Sequence, residues 1–168
     1  MTQKVAPVPK GYRTATPCLI VNGVDAAIEF YAYAFGANTL TLTLDPTDSY
    51  GVHATIKIGN SIVVLQQEQA ELGILSPLAL GNNGSQVHLY VEDVDTLWNS
   101  AIESGAYSIS EPTDTYWGDR NGILVDPFGH RWSLATRVEH VSKEESRKRA
   151  EALYGVEEAA EVVEEIAA

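Results

Sequence analysis

The chain has 168 residues, a formal net charge of −12 and a single cysteine, and 45% of its residues are hydrophobic. This size and composition predict one domain, or two small fused halves, with a sizeable core. The negative charge argues against partners such as nucleic acid or anionic membranes, and one cysteine excludes an internal disulfide. No apolar run is long enough to span a bilayer. Residues 1–13 hold no apolar signal core, so we expect a cytoplasmic protein.

The first half predicts the element order β-α-β-β-β. Residues 1–13 contain Pro7, Pro9 and Gly11 without periodicity and are predicted to form an extended arm. Apolar residues at helical spacing predict a helix over 25–35, which Gly36 ends. Alternating patterns predict strands over 14–21, 39–44, 50–58 and 61–67, with a loop at 45–49 and a hairpin turn at 59–60.

Residues 68–84 join the halves. The middle of this segment is apolar, and a long loop with that much apolar surface covers something. We expect a lid over a site or a dimer contact.

The second half repeats the same order. A helix runs from Val94 to Gly105, and the segment Asp126-Pro127-Phe128-Gly129 has the signature of a type I turn. The residues Ser142-Lys143-Glu144-Glu145 form a capping box, so a third helix is predicted from there to about Tyr154. The strands are predicted at 86–91, 107–110, 122–125 and 131–136.

An internal repeat relates the two halves. Leu19, Val21, Val24 and Asp25 recur 70 positions later as Leu89, Val91, Val94 and Asp95. This period is too long for a solenoid, so it predicts a pair of similar halves with a site where they face each other. The predicted organisation is an arm at 1–13, one domain at 14–138 and a helical extension with an acidic tail at 139–168. The domain comprises module 1 (14–67), a linker (68–84) and module 2 (85–138).

Several short motifs are recognisable along the chain: TPCLIV at 16–21, AIEFY at 27–31, AFGA at 34–37, LSP at 75–77, HLYVEDVD at 88–95, YWGDR at 116–120 and DPFGHRWSLAT at 126–136. They resemble motifs of the vicinal oxygen chelate superfamily, also called the glyoxalase/bleomycin resistance/dioxygenase superfamily, and most closely those of its PhnB-like branch. The resemblance implies an α+β fold of tandem βαβββ modules. These form a curved mixed sheet with a concave ligand face and helices on the convex face, and a homodimer is the usual state.

The resemblance also locates the positions of the family's metal ligands. Aligning the strands gives Thr16, Val64, Gln86 and Ser133, and the internal repeat pairs Thr16 with Gln86 and Val64 with Ser133. None of the four is His, Glu, Asp or Cys, whereas a catalytic divalent metal needs imidazole or carboxylate ligands. We therefore expect no metal at this position and no cofactor.

Strand alternation places the candidate ligand-binding side chains on the concave face. His88 is the best acid/base candidate; alternatively, it only forms a cross-strand hydrogen bond. Cys18 is interpreted as a strand cysteine rather than a nucleophile, and His130 as a turn-stabilising residue. The candidates for ligand binding on this face are Thr16, Cys18, Val64, Gln86, His88, Tyr90, Arg131 and Ser133.

The YWGDR run has two open interpretations. Tyr116 and Trp117 stack on a flat ligand that Asp119 and Arg120 orient. Alternatively, Asp119 and Arg120 form an ion pair that fixes the loop, while Trp117 packs in the core or in a dimer contact. The first interpretation adds Tyr116, Trp117 and Arg120 to the candidate site.

These observations favour a metal-independent protein that binds a small organic molecule, in a role such as sequestering an aromatic compound or a natural product. The alternative is a lyase or isomerase with His88 as base and Arg131 as oxyanion partner. A second alternative is a structural dimer without a ligand.

Overall fold

A computed structural model describes residues 5–44 and 51–155. It confirms the α+β fold of two βαβββ modules and the C-terminal helix. The predicted loop at 45–49, the first residue of the third predicted strand and the acidic tail beyond residue 155 lie outside the described residues. Module 1 consists of β1 (Cys18–Val21), α1 (Val24–Phe35), β2 (Asn38–Thr43), β3 (His53–Ile58) and β4 (Ser61–Gln67). The remaining elements are α2 (Pro77–Leu80), β5 (Gln86–Tyr90), α3 (Val94–Glu103), β6 (Tyr107–Asp114), β7 (Asp119–Val125), β8 (Arg131–Arg137) and α4 (Lys143–Tyr154).

The strands form two four-stranded mixed sheets. Sheet 1 has the order β1-β4-β3-β2 and sheet 2 the order β5-β8-β7-β6, with the first and last strand of each module parallel. Cys18 lies opposite Val64 in sheet 1, and His88 lies opposite Ser133 in sheet 2. These pairs are related by the sequence repeat, so the repeat extends to strand register.

The first strand is shorter than predicted. It begins at Cys18, because Pro17 has no N–H to donate to a ladder. The carbonyl of Pro17 still accepts a hydrogen bond from the Val64 N–H at 2.9 Å. Thr16 therefore lies just before the strand, where its hydroxyl donates to the Arg13 carbonyl at 3.3 Å.

The hairpin of β6 and β7 is longer than predicted. The strand β6 continues through Pro112 because it is an edge strand, where a proline leaves no ladder bond unmade. Gly122 lies in β7 against Pro112 and the ring of Trp98, and a Cβ at Gly122 would approach each to 3.0 Å. The glycine therefore lets the helix and the hairpin pack closely.

One hydrophobic core joins the two modules. Each helix packs on its own sheet and the two helices pack on each other, so α1, α3 and the inner faces of both sheets share one cluster. We call the face of each sheet opposite its helix the open face. Because both inner faces meet the shared core, the open faces point away from it. The expected site where the halves face each other stays a prediction.

Asp126 connects the modules through four hydrogen bonds. Its Oδ1 accepts from the backbone N–H groups of Phe128 and His130, both at 2.9 Å. Its Oδ2 accepts from the Tyr31 hydroxyl on α1 at 2.6 Å and from the Trp132 indole N–H at 2.8 Å. Burial of Tyr31, with Asp126 beside it, raises the pKa of the phenol well above its ordinary value. The predicted turn is present, with Gly129 N–H donating to the Asp126 carbonyl.

The linker and α4 lie at the surface. Leu78 and Leu80 of α2 are more than half exposed, so the expected lid or dimer contact stays a prediction. The predicted capping box is present, since Ser142 Oγ accepts from the Glu145 N–H at 3.1 Å. No residue of α4 is buried. No described helix combines the length and apolar character needed to span a membrane.

We expect Tyr31→Phe to lower the free energy of unfolding by about 1.5–3 kcal/mol, the range for a hydrogen bond to a charged group. The substitution removes one of the four donors to Asp126 and leaves the ring in the core. Urea denaturation measures the change. Tyr33→Phe, on the exposed side of the same helix, is the matched control and should change stability by less than about 0.5 kcal/mol. Equal effects of the two variants would contradict the role of Asp126.

Candidate functional site

The open face of sheet 1 is partly covered by the N-terminal arm. Ile62, Thr55 and Gln66 point away from the helix, yet each is buried. Gly11 lies against Ile62, where an added Cβ would be 3.4 Å from Cδ1. Cys18 Sγ lies 3.7 Å from Gln66 Oε1, and partial burial raises the pKa of the Cys18 thiol. This environment suits a strand cysteine rather than a nucleophile.

The open face of sheet 2 is more accessible and more polar. His88 and Gln86 of β5 are exposed, and Tyr90 is 59% exposed. Ser133 is buried beneath them on β8. Strand register adds Asn121, Ile123 and Val125 of β7 to the same face.

Asp119 organises one end of this face. Only 2% of the residue is exposed. Its Oδ2 accepts hydrogen bonds from the Tyr90 hydroxyl at 2.7 Å and the Trp117 indole N–H at 3.0 Å, and its Oδ1 pairs with Arg137 Nε. Burial by itself raises the pKa of Asp119, but the bonds from Arg137, Tyr90 and Trp117 outweigh it and hold this pKa below its ordinary value. The carboxylate thereby fixes two aromatic rings.

His88, Ser133 and Asn121 form a second polar group. His88 Nδ1 lies 2.8 Å from Ser133 Oγ. Asn121 Nδ2 donates to Ser133 Oγ at 2.8 Å and to the Leu134 carbonyl at 3.0 Å. Ser133 Oγ already accepts a hydrogen bond from Asn121. Among the described residues, His88 Nδ1 is therefore the acceptor available for the hydroxyl hydrogen of Ser133. The neutral imidazole then carries its hydrogen on Nε2, where it is a donor toward the open face.

Arg131 has a free guanidinium at the other end of β8. It forms no ion pair or hydrogen bond with the part of the chain that the structure describes, and it is exposed. It lines a cavity of about 320 Å³ together with Val125, Gly129 and residues of α2. Asn83 closes this side of the linker by donating to the Gly129 carbonyl at 3.1 Å.

The ion pair between Asp119 and Arg120 is absent, so this interpretation of the YWGDR run is wrong. Neighbouring strand residues point to opposite faces, and Arg120 points away from Asp119. It pairs with Asp95 of α3 at 2.6 Å and with Asp114 at 3.2 Å. Arg120 consequently does not lie on the open face and leaves the candidate ligand-binding set.

The turn before Asp119 depends on Gly118. Its φ is +90°, and a Cβ there would lie 2.4 Å from the Glu139 carbonyl oxygen. The Tyr116 ring makes edge contacts with the rings of Trp117 and of Tyr154 on α4. The centroid distances are 4.7 Å and 6.1 Å. Trp117 is 40% exposed, so of the two aromatic residues it is the one anchored beside the open face.

The structure separates the predicted site residues into two groups. Thr16, Cys18 and Val64 belong to module 1, whereas Gln86, His88, Tyr90, Trp117, Arg131 and Ser133 lie in module 2. Sequence reasoning missed Asn121 and Arg137. Alternation along β7 and β8 places both on the open face, and that signal was available once Asp119 and Ser133 were named.

His130 has a further role. Its backbone N–H stabilises the turn, as expected, by donating to Asp126 Oδ1. Its buried ring also places Nε2 2.9 Å from the Ile20 carbonyl of module 1. This contact joins the modules.

The fold and sequence define the class of protein. A family model for the Glyoxalase/Bleomycin resistance protein/Dioxygenase superfamily matches residues 13–134, and the chain belongs to this superfamily. The uncharacterized protein Mb0911c of Mycobacterium bovis is 35% identical over 133 residues, covering 77% of this chain and 87% of that relative.

Two solved structures are similar in fold. A gene product of Arabidopsis thaliana has a TM-score of 0.59 and 24% identity over 74% of this chain and 98% of its own. The fosfomycin resistance protein FosX of Listeria monocytogenes, complexed with Mn(II) and sulfate, has a TM-score of 0.56 and 15% identity. The alignment covers 82% of this chain and 97% of FosX.

The residues at the family's metal positions do not fit a catalytic divalent metal. Val64 offers no donor, and the Thr16 and Ser133 hydroxyls are already engaged in hydrogen bonds. Gln86 supplies only a weakly coordinating amide. Within the described ranges, no three His, Cys, Asp or Glu side chains are grouped as metal ligands would be.

We expect Asp119→Asn to make the stability of the fold depend less on pH in the acid range. Because the folded pKa of Asp119 is lowered, its contribution is present above the ordinary carboxyl range and is lost as pH falls through the folded value. The variant should be less stable than the parent at pH 7, and the difference should shrink as the pH falls below the ordinary carboxyl range. Thermal unfolding from pH 7 to pH 2.5 measures this, with the exposed Glu111→Gln as control. A constant difference across that range would contradict it.

Proposed function

We propose that this chain is a metal-independent small-molecule-binding protein whose ligand lies on the open face of sheet 2. One observation carries the proposal: Tyr90 and Trp117 are 59% and 40% exposed, yet their polar atoms are fixed by the same buried carboxylate of Asp119. Aromatic side chains held in this way lose little entropy when a ligand packs on them. They offer apolar surface and specific geometry for stacking.

The polar groups beside these aromatic residues suggest the chemistry of the ligand. Arg131 has no partner among the described residues and suits an anionic or carbonyl group. His88, with its hydrogen on Nε2, suits an acceptor oxygen. A flat organic molecule with an acceptor or acidic substituent matches this combination. Such molecules include aromatic natural products. The motif resemblance supports placing the chain in the PhnB-like branch.

We also propose a homodimer. Large apolar side chains are exposed in two places. They are Leu42 and Leu44 at the end of β2, and Leu78 and Leu80 of α2. A second copy is the partner that would cover them and bring an open face of sheet 1 opposite an open face of sheet 2. That arrangement would unite Thr16, Cys18 and Val64 with the residues of module 2.

The binding proposal is tested by a thermal-shift panel of aromatic and peptidic compounds, run before and after treatment with EDTA. At least one compound should raise the melting temperature equally in both samples. Tyr90→Leu should weaken binding of that compound by about threefold to tenfold, the value of one aromatic contact. Leu153→Ala, which removes an exposed apolar side chain from α4, is the control and should leave binding unchanged.

Three results would contradict the proposal. Stoichiometric zinc, nickel or iron whose removal abolishes binding would contradict metal independence. Equal effects of Tyr90→Leu and Leu153→Ala would move the ligand away from the open face. No stabilisation by any compound, in a dimer whose open faces are filled by the partner, would favour a structural dimer.

A second candidate function is a lyase or isomerase with His88 as acid/base. The observation that favours it is the 2.8 Å contact between His88 Nδ1 and Ser133 Oγ. A buried hydroxyl that orients an exposed imidazole is the arrangement that proton transfer requires. In its neutral Nε2–H form, the ring donates a hydrogen bond that would polarise an oxygen of the substrate, and Arg131 would stabilise a developing negative charge.

This orientation of His88 has a spectroscopic test that needs no substrate. Nitrogen-15 NMR should show His88 mainly as the Nε2–H tautomer at high pH, because Ser133 donates to Nδ1. Ser133→Ala should shift the ring toward a mixture, whereas exposed His140 should not change. An Nδ1–H tautomer in the parent protein would reverse the proposed role and make Nε2 the base.

A further inference from the structure

A groove of about 660 Å³ lies between α1 and α3, where the helices meet the turn that follows β7. We call it the helix groove. Phe30 and Phe128 are buried in its floor, and Tyr33 forms a wall with 78% exposure. None of the residues on the open face of sheet 2 lines this groove, so it is separate from the proposed ligand site.

The internal repeat relates the two helices that line the groove, but the two helices present different side chains to it. Phe30 and Ser100 are separated by the repeat interval, as are Tyr33 and Glu103, and both members of each pair line the groove. The repeat axis therefore passes through it. The α1 side presents aromatic rings, and the α3 side presents a hydroxyl and a carboxylate at the equivalent positions.

Every polar group at the groove favours a positive charge. Glu29 and Glu103 are exposed and form no ion pair or hydrogen bond with other described residues, and no basic side chain lines the groove. The hydroxyls of Ser100 and Ser104 donate to helix carbonyls at 3.1 Å and 2.7 Å, which leaves their oxygens as acceptors. The groove thus combines carboxylates and acceptors with aromatic surface, in a chain of net charge −12.

We propose that the helix groove binds a small organic cation. Its ammonium or guanidinium group lies between Glu29 and Glu103, and its apolar body packs on Phe30, Phe128 and the face of Tyr33. Cations are attracted to the face of a tyrosine ring. The groove has the volume of a small-molecule site. An anion is repelled by both carboxylates, and a neutral molecule leaves them without a partner.

The test uses the full chain and the probe 2-phenylethylamine, whose amine is charged at pH 7. The amine should shift the backbone amide signals of Tyr33, Ser100 and Glu103 in a two-dimensional NMR titration. The neutral isostere 2-phenylethanol should bind at least about threefold more weakly, and phenylacetate should give no shift at these positions.

Matched variants assign the binding to the groove. Glu29→Gln and Glu103→Gln keep the shape of the side chain and remove its charge, so each should weaken amine binding by about threefold and the pair by about tenfold. Glu111→Gln removes the same charge from β6 and should leave the affinity unchanged. The NMR spectrum of each variant also reports whether its fold is intact.

Four outcomes would overturn the proposal. The amine and the alcohol bind equally well, or the double variant binds the amine as the parent does. The signals that shift belong to residues 86–90 and 131–135, which places the probe on the open face of sheet 2. The groove signals shift on dilution of the protein alone, which identifies the groove as a contact between copies of the chain.

Discussion

A single buried carboxylate, Asp126, determines how the two modules are joined. Burying an ionised carboxyl group without a cation is unfavourable unless hydrogen bonds replace its lost water. Two of its four donors come from the turn that Asp126 begins, one from the core of sheet 2 and one from Tyr31 of module 1. The carboxylate can be satisfied only when module 1 is docked. It therefore specifies module packing, and that packing determines which sheet faces remain accessible.

The helices and strands could be predicted from the sequence where short-range rules determine the backbone conformation. The helical spacing of Val24 and Tyr31, the glycine stop at Gly36 and the capping box at Ser142 correspond to elements of the structure. Boundaries failed where local rules were overridden. Pro17 shortened β1, while Pro112 and Gly122 were tolerated in a longer hairpin because one lies on an edge and the other beneath Trp98.

The candidate site was less predictable, because the hydrogen-bond or ion-pair partner of a side chain often lies far away in the sequence. Strand alternation placed His88, Tyr90 and Ser133 on one face, as the structure has them. No local pattern shows that Asp119 pairs with Arg137 instead of the adjacent Arg120. Alternation does exclude the adjacent pair, and that rule was available without a structure.

The two modules share a backbone plan and differ in their side chains. Gly23 begins α1 with its N–H bound to the side chain of Gln67, whereas the equivalent Asp93 caps α3 with its own carboxylate. The open face of sheet 1 is partly covered by the arm, and the open face of sheet 2 carries a polar network. The repeat thus provides two copies of one scaffold, and their different side chains make the two open faces chemically different.

No residue of α4 is buried, and this limits how strongly the helix is coupled to the unfolding of the core. It is held by pairs such as Arg149 with Glu139 and Glu145, at 2.7 Å and 2.9 Å, and by the contact of Tyr154 with Tyr116. Exposed ion pairs contribute little and are screened by salt, whereas the shared apolar core is insensitive to ionic strength. Detachment of α4 is therefore a local opening that costs less free energy than global unfolding. Ionic strength, rather than denaturation of the core, determines how often this end of the molecule opens.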